Sequence, residues 1–327
     1  MMNILHFLPP FLISMGLLGC GQSSGPSVNT PAQPAAPAPA PVVKKEVGLV
    51  MKTLTNPFFV EMEKGARRAE KELGINLTVK TAAQETSIEQ QIQLVEDLIA
   101  AKVNAIVIAP GDSQRLIPAL KKAREAGISI VNIDNRLDPE AVNQAGMAPV
   151  PFVSVDNEAG AYKAGKFLAD SVSAPTEAAI LEGIRSADNA QQRAAGARRA
   201  LAENPKIKLV ASETANWKID EAYTVTRQMF AKHPQIKLLF ASNDIMAIGA
   251  LKYLQESRRR GVMVAGFDAL DEALTEIRSK RLAATVDQQA AEQGYQGVAL
   301  ALRLTQGSTV PAVTTIDTRL VTAGNLP

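Results

Sequence analysis

The chain has 327 residues, 46% of them hydrophobic and 21% charged, and its 35 basic residues nearly cancel 33 acidic ones. That length favours about two domains over one and gives ample material for a core. A formal charge of +2, no long basic block and only 4% aromatic residues argue against nucleic acid as a partner.

Residues 4–19, ILHFLPPFLISMGLLG, form an apolar run of signal-peptide length, too short and too Pro-interrupted for a transmembrane helix. It ends in Leu17-Leu18-Gly19-Cys20, a string that resembles the bacterial lipobox, in which a peptidase cleaves before a cysteine that carries lipid. Cys20 is the only cysteine, so no internal disulfide is possible. The first residues lack the usual Lys or Arg of such a signal. Residues 21–45 are dominated by Gly, Ser, Ala and Pro, a composition that cannot build a core. In extended polyproline geometry this tether reaches roughly 75 Å at about 3.1 Å per residue. The expected layout is a signal at 1–19, then a lipidated cysteine and spacer at 20–45, placing the folded body at a membrane and outside the cytoplasm.

From 46 onward, short apolar runs alternate with longer amphipathic ones. The pattern predicts strands near 47–51, 76–81, 104–109, 128–133, 152–155, 178–182, 207–211, 237–241, 261–266 and 282–286. Between them it predicts helices near 57–73, 87–102, 113–126, 157–172, 189–203, 219–232, 244–257, 269–279 and 289–305. Such alternation means parallel sheets covered on both faces, arranged as two doubly wound domains or as one barrel with additions. The corner TLTNPFFV at 53–60 joins the first strand to the first helix: Asn56 can cap the helix and Pro57 fits its first turn. There Asn56, Phe58 and Phe59 sit outside the carboxyl end of a strand, where open α/β sheets bind ligands. Two rings and an amide suit a ligand with an apolar face and polar edges, such as a sugar. Just past other strands stand Asp134, Asn135 and Arg136, then Trp217, Asn243 with Asp244, Asp268 and Gln288.

Several stretches carry a resemblance. TLTNPFFV, IDNR at 133–136, LLFASNDIMAIGAL at 238–251, VMVAGFDA at 262–269 and LAATVDQ at 282–288 resemble the type I periplasmic sugar-binding proteins of the ribose-binding kind, in order from about 46 to the end. The resemblance implies two similar Rossmann-like, doubly wound domains joined by a three-stranded hinge, one from 46–155 plus 289–317 and the other from 156–288 plus 318–327. It implies a monosaccharide or polyol bound between them, no cofactor and a monomer. It also implies delivery to an ABC-type importer, with a chemoreceptor as a further partner. Carried over residue by residue, it implies ligand contacts from Asn56, Phe58, Phe59 and Asp134 in the first domain, with Asn135 and Arg136 beside Asp134 in the same ligand-binding set. From the second it implies Arg193 in DNAQQRAAG, Trp217, Asn243, Asp268 and, at the hinge, Gln288. Asn135 separates Asp134 from Arg136 where the ribose binders place arginine next to aspartate, and Trp217 stands where they have phenylalanine. Both changes leave the particular sugar open.

Chemically the set is coherent. Asp134 and Asp268 accept from vicinal hydroxyls, Arg193 donates in a fork, the amides do both, and the rings cover C–H faces. Other roles compete with these. One of the two phenylalanines could be core, Asp268 and Asn243 could be helix caps, and Arg185 could replace Arg193. Gly160–Phe167, GAYKAGKF, has P-loop spacing but ends in Phe where Ser or Thr is required, and its glycines fall inside a predicted helix. With His233 the one histidine after the signal and no cysteine beyond Cys20, zinc sites built on Cys or His are excluded. Three other functions remain to be weighed: a glycoside hydrolase using Asp134 and Asp268, a non-transport sugar sensor of the same fold, and a transcription regulator, which requires a helix-turn-helix where residues 1–45 carry the lipobox-like string and the Pro/Ala tether.

Overall fold

The computed structural model describes Gly25 and residues 44–327. The signal, Cys20 and the spacer as far as residue 43 otherwise lie outside the described residues. The run VGLVM lies in β1 (Glu46–Met51), buried after Glu46. Val47, Leu49 and Met51 enter one apolar cluster and Val50 another. The strand therefore reads as unbroken apolar sequence because both faces of its sheet are covered. Asn56 Oδ1 accepts from the Phe58 backbone N–H and starts α1 (Pro57–Leu73), which Gly74 ends at φ 66.

The first sheet adds β2 (Asn76–Thr81), β3 (Ala105–Ile108), β4 (Ser129–Ile133), β5 (Phe152–Val155) and the late strand β11 (Val313–Ile316). Its spatial order is β11-β5-β4-β3-β1-β2, with every pair parallel. Helices α2 (Ile88–Ala100) and α3 (Ile117–Glu125) pack with the Val50 cluster, whereas α1 and α10 (Ala290–Thr305) pack with the other. The α1–α10 approach is close enough that a Cβ on Gly294 would lie 2.1 Å from the Met62 carbonyl oxygen. The second sheet holds β6 (Thr176–Glu182), β7 (Ile207–Thr214), β8 (Ile236–Ala241), β9 (Met263–Ala265), β10 (Ala284–Asp287) and β12 (Arg319–Thr322). Its order is β12-β10-β9-β8-β6-β7, and only β12 runs antiparallel. It carries α5 (Asn157–Asp170), α6 (Asp188–Ala202), α7 (Ile219–Lys232), α8 (Asp244–Glu256) and α9 (Asp271–Arg278).

The first five strands of each sheet follow one winding, 2-1-3-4-5, the doubly wound order whose ligands bind at the carboxyl ends near the switch point. Two separate sheets exclude the barrel. Both belong to the unit Val43–Pro327. The chain passes from one sheet to the other after β5, between β10 and α10, and between β11 and β12. Gln289, in left-handed conformation at φ 52, ties two of these passages together: its Nε2 donates to the Asp317 carbonyl at 2.7 Å.

Three elements escaped the periodicity reading. The short helix α4 (Pro139–Gln144) and the edge strands β11 and β12 are brief and mix polar with apolar residues, with mixed burial. The helix expected from 113 begins at Ile117, because Asp112 Oδ1 accepts from the backbone of Gln114 and Arg115 and holds a turn there. The P-loop-like glycines lie within α5, where Gly165 closes the approach to Ala197 of α6.

Candidate ligand-binding site

Where the carboxyl ends of the two sheets face each other, their polar residues enclose one cavity. The first lobe supplies Lys52, Asn56, Phe58, Phe59, Glu85 and Asp134; the second supplies Asn189, Arg193, Trp217, Asn243 and Asp268, with Gln288 at a passage between them. The cavity volume is only ≈ 20 Å³. That is room for about one water, so a sugar ring enters only as the lobes part. A larger hollow, ≈ 540 Å³, shares Asn56, Glu85 and Trp217 with the cavity and continues to Ile219 and Asp220.

In the first lobe a buried charge cluster lies beneath the amide of Asn56. Lys52 Nζ sits 2.7 Å from Asp134 Oδ2 and 3.8 Å from Glu85 Oε2, and Asn56 Nδ2 donates to Glu85 Oε1 at 3.0 Å. Burial pushes the Glu85 carboxyl above its ordinary range, and the Lys52 charge opposes that rise. Phe58 and Phe59 meet edge to face at 5.0 Å. Both are buried in the apolar cluster and both also border the cavity. Asp134 adopts φ 62, a left-handed backbone that turns its carboxylate to Lys52 at the strand end.

The second lobe places Arg193 at the centre of its wall. Its Nε donates to Asn157 Oδ1 at 2.8 Å, its Nη1 to the Ser242 carbonyl at 3.0 Å and its Nη2 to Gln288 Oε1 at 3.2 Å. The guanidinium lies 3.9 Å from the Phe267 ring centroid and 5.6 Å from that of Trp217. Asp268 Oδ1 stands 3.5 Å from Arg193 Nη1 and accepts from Gln288 Nε2 at 2.6 Å. Burial raises the Asp268 carboxyl and lowers Arg193, and on each the partner's charge pulls the other way. Desolvation outweighs attraction in this pair, the usual balance for buried ions. Asp268 is no helix cap, since α9 begins after Leu270; its φ of 127 is strained backbone. Beneath the loop, Asp244 Oδ1 accepts from Thr285 Oγ1 and its Oδ2 from the Leu270 backbone, and burial lifts the Asp244 carboxyl to about 6. Asn243 does act as a cap, accepting from the Met246 N–H, while it borders the cavity. Trp217, at φ 65, lies so tightly over Gly183 that an added Cβ would fall 2.0 Å from its Cζ2, and its Nε1 is buried without a partner.

Two expected residues and one alternative stand elsewhere. Asn135 is fully buried but outside the cavity wall; its Nδ2 donates to the Pro110 carbonyl and to Ser113 Oγ, and its Oδ1 accepts from the Asn189 backbone of the other lobe. Arg136 stacks on Phe152 at 5.6 Å, beside a separate hollow of the first lobe. Asn135 thus bridges the two lobes through its amide, whereas Arg136 stays on the first. Arg185, exposed and held by Glu182 at 2.7 Å, does not reach the cavity. Lys52, Glu85 and Asn189 were missed. The first two follow the ends of β1 and β2, the position that drew attention to the others; Asn189 lies one helical turn before Arg193.

The chain belongs to the periplasmic binding protein family: the model described as "Periplasmic binding protein domain" matches residues 47–309. It is 41% identical over 269 residues to a D-ribose/D-allose-binding protein of Pseudomonas aeruginosa, covering 81% of this chain and 84% of that one. A D-allose-binding periplasmic protein of Escherichia coli is 34% identical over 257 residues, covering 78% and 83%. An ABC transporter periplasmic solute-binding protein of Actinobacillus succinogenes, solved with bound D-allose, superimposes with a TM-score of 0.81 at 39% identity, covering 86% of this chain and 98% of that one. Within that family the chain is a ribose-binding-type, extracytoplasmic solute-binding protein and not an enzyme. Asp134 and Asp268 each face a buried cation, Lys52 and Arg193. Among the described residues no helix is long and apolar enough to cross a membrane.

Proposed function

We propose that this chain captures an aldose of the D-allose or D-ribose class between its lobes and delivers it to an ABC-type importer. The observation that carries this reading is the convergence of Lys52, Asn56 and Asp134 with Arg193, Asp268 and Gln288 on one buried cavity flanked by Phe58, Phe59 and Trp217. Asp134 and Asp268 accept from ring hydroxyls, Lys52, Arg193 and the amides donate, and the rings cover the apolar faces. Lys52 adds a strong donor on the first lobe, a point charge suited to an exocyclic or ring hydroxyl. Similarity to D-allose- and D-ribose-binding relatives supports the sugar class. Cys20 would carry the lipid, and the Pro/Ala spacer after it would let the body swing between membrane and solvent.

Titration with a monosaccharide and polyol panel, read by fluorescence of the single tryptophan, Trp217, and by thermal shift, tests the proposal. A bound sugar stabilises the folded chain by mass action, so D-allose or D-ribose should raise the melting temperature and move the emission. No response to any sugar up to millimolar concentration refutes it. Labelling with radioactive palmitate, abolished in Cys20→Ala, tests the anchor.

A further inference from the structure

We infer that Asn189 reads one ring hydroxyl from the second lobe, beside Asp134 of the first, and thereby sets which epimer the site retains; this rests on the sugar-binding reading above. Asn189 is the second residue of α6, one turn before Arg193, so both side chains leave the same helix face. It is 2% exposed and borders the cavity. Its backbone N–H donates to Asn135 Oδ1 at 3.1 Å, which fixes this end of α6 against the first lobe. The side chain is less well satisfied. Its Nδ2 reaches Asp134 Oδ1 only at 3.5 Å, the limit of a hydrogen bond, and its Oδ1 is buried with no donor. Buried side-chain acceptors without partners are uncommon in folded proteins and call for an explanation.

A ligand hydroxyl set between the two residues supplies what both lack. Its O–H donates to Asn189 Oδ1 or to the Asp134 carboxylate, and its oxygen accepts from Asn189 Nδ2 or Lys52 Nζ. Asp134 and Asn189 come from opposite lobes, so both reach the hydroxyl only when the lobes are shut. A sugar with that hydroxyl inverted or missing leaves the amide unpaired in the closed form. Sites built to hydrogen-bond a hydroxyl discriminate strongly against analogues lacking it.

The test is calorimetric titration of wild type and Asn189→Ala with D-allose, D-ribose, the single-position epimers D-altrose, D-glucose and D-gulose, and the monodeoxy analogues of D-allose. The variant should bind the best wild-type ligand at least tenfold more weakly. It should bind the analogue altered at one ring position as the wild type does, so that discrimination collapses at that position alone. Equal losses for every sugar, or no loss, overturn the inference. Asn189→Ser is run beside it and should show the same position-specific loss, and ligand-free melting of both variants separates misfolding from lost recognition. A wild type that binds none of these sugars refutes the sugar reading instead.

Discussion

The buried ammonium of Lys52 offers the sharpest test of how the first lobe is held together. Asp134 lies 2.7 Å from it and Glu85 3.8 Å, and the side chains of all three are at least nine-tenths buried. In Lys52→Met the volume is roughly kept while two carboxylates lose their shared cation. Removing one partner of a buried ion pair costs about 3–5 kcal/mol, because the stranded charge keeps its desolvation penalty. At about 2–4 °C per kcal/mol for chains of 150–250 residues, the ligand-free protein should melt roughly 6–20 °C lower at neutral pH. The deficit has a defined pH dependence. Burial already raises Glu85, and loss of Lys52 removes the largest influence holding it down. The variant's Glu85 carboxyl therefore stays protonated to higher pH, and a protonated acid needs no cation. As pH falls toward 4 the gap to wild type should narrow. Calorimetric melting between pH 4 and 8 reads both effects. Equal melting temperatures at pH 7, or a gap that does not change with pH, would refute the reasoning.

Other expectations follow from the same geometry. Asp268→Asn keeps the shape and the Gln288 contact but removes the charge facing Arg193, so sugar affinity should fall at least about tenfold, or ~1.4 kcal/mol, by titration. Gly183→Ala must displace the Trp217 ring, and should shift its emission and weaken binding although residue 183 lies outside the cavity wall. Asn135→Ala removes an interlobe bond to the Asn189 backbone, worth about 0.5–1.5 kcal/mol, and should speed ligand release a few-fold in stopped-flow without changing the order of sugar preference. Asp244, raised to about 6, binds its proton more tightly folded than unfolded. Its contribution to stability is full below the ordinary carboxylate value of 3.8 and is lost as pH rises through about 6, so Asp244→Asn should flatten the melting profile across that window.

Local sequence determined much of this protein. Unbroken apolar runs such as VGLVM and LLFA specify strands covered on both faces, because no polar residue could be tolerated on either side. Asn56 with Pro57 fixes the first helix start, and the position past a strand end that singles Asn56 out in the sequence brings it to the cavity wall. Periodicity left barrel and paired sheets open, with length slightly favouring two, and could not find β11 or β12, whose four residues each are too few to show a period. What tertiary structure alone decided is which polar strand-end residues meet. Asn135 and Arg136 adjoin Asp134 in sequence yet stand outside the cavity wall, whereas Lys52, Glu85 and Asn189 come from separate segments to that wall. Charge neutralisation, left-handed backbone at Asp134, Trp217 and Asp268, and the fit of Trp217 over Gly183 depend on distances between residues far apart in the chain. No local pattern encodes such distances, because they are set by how two independently wound sheets come face to face.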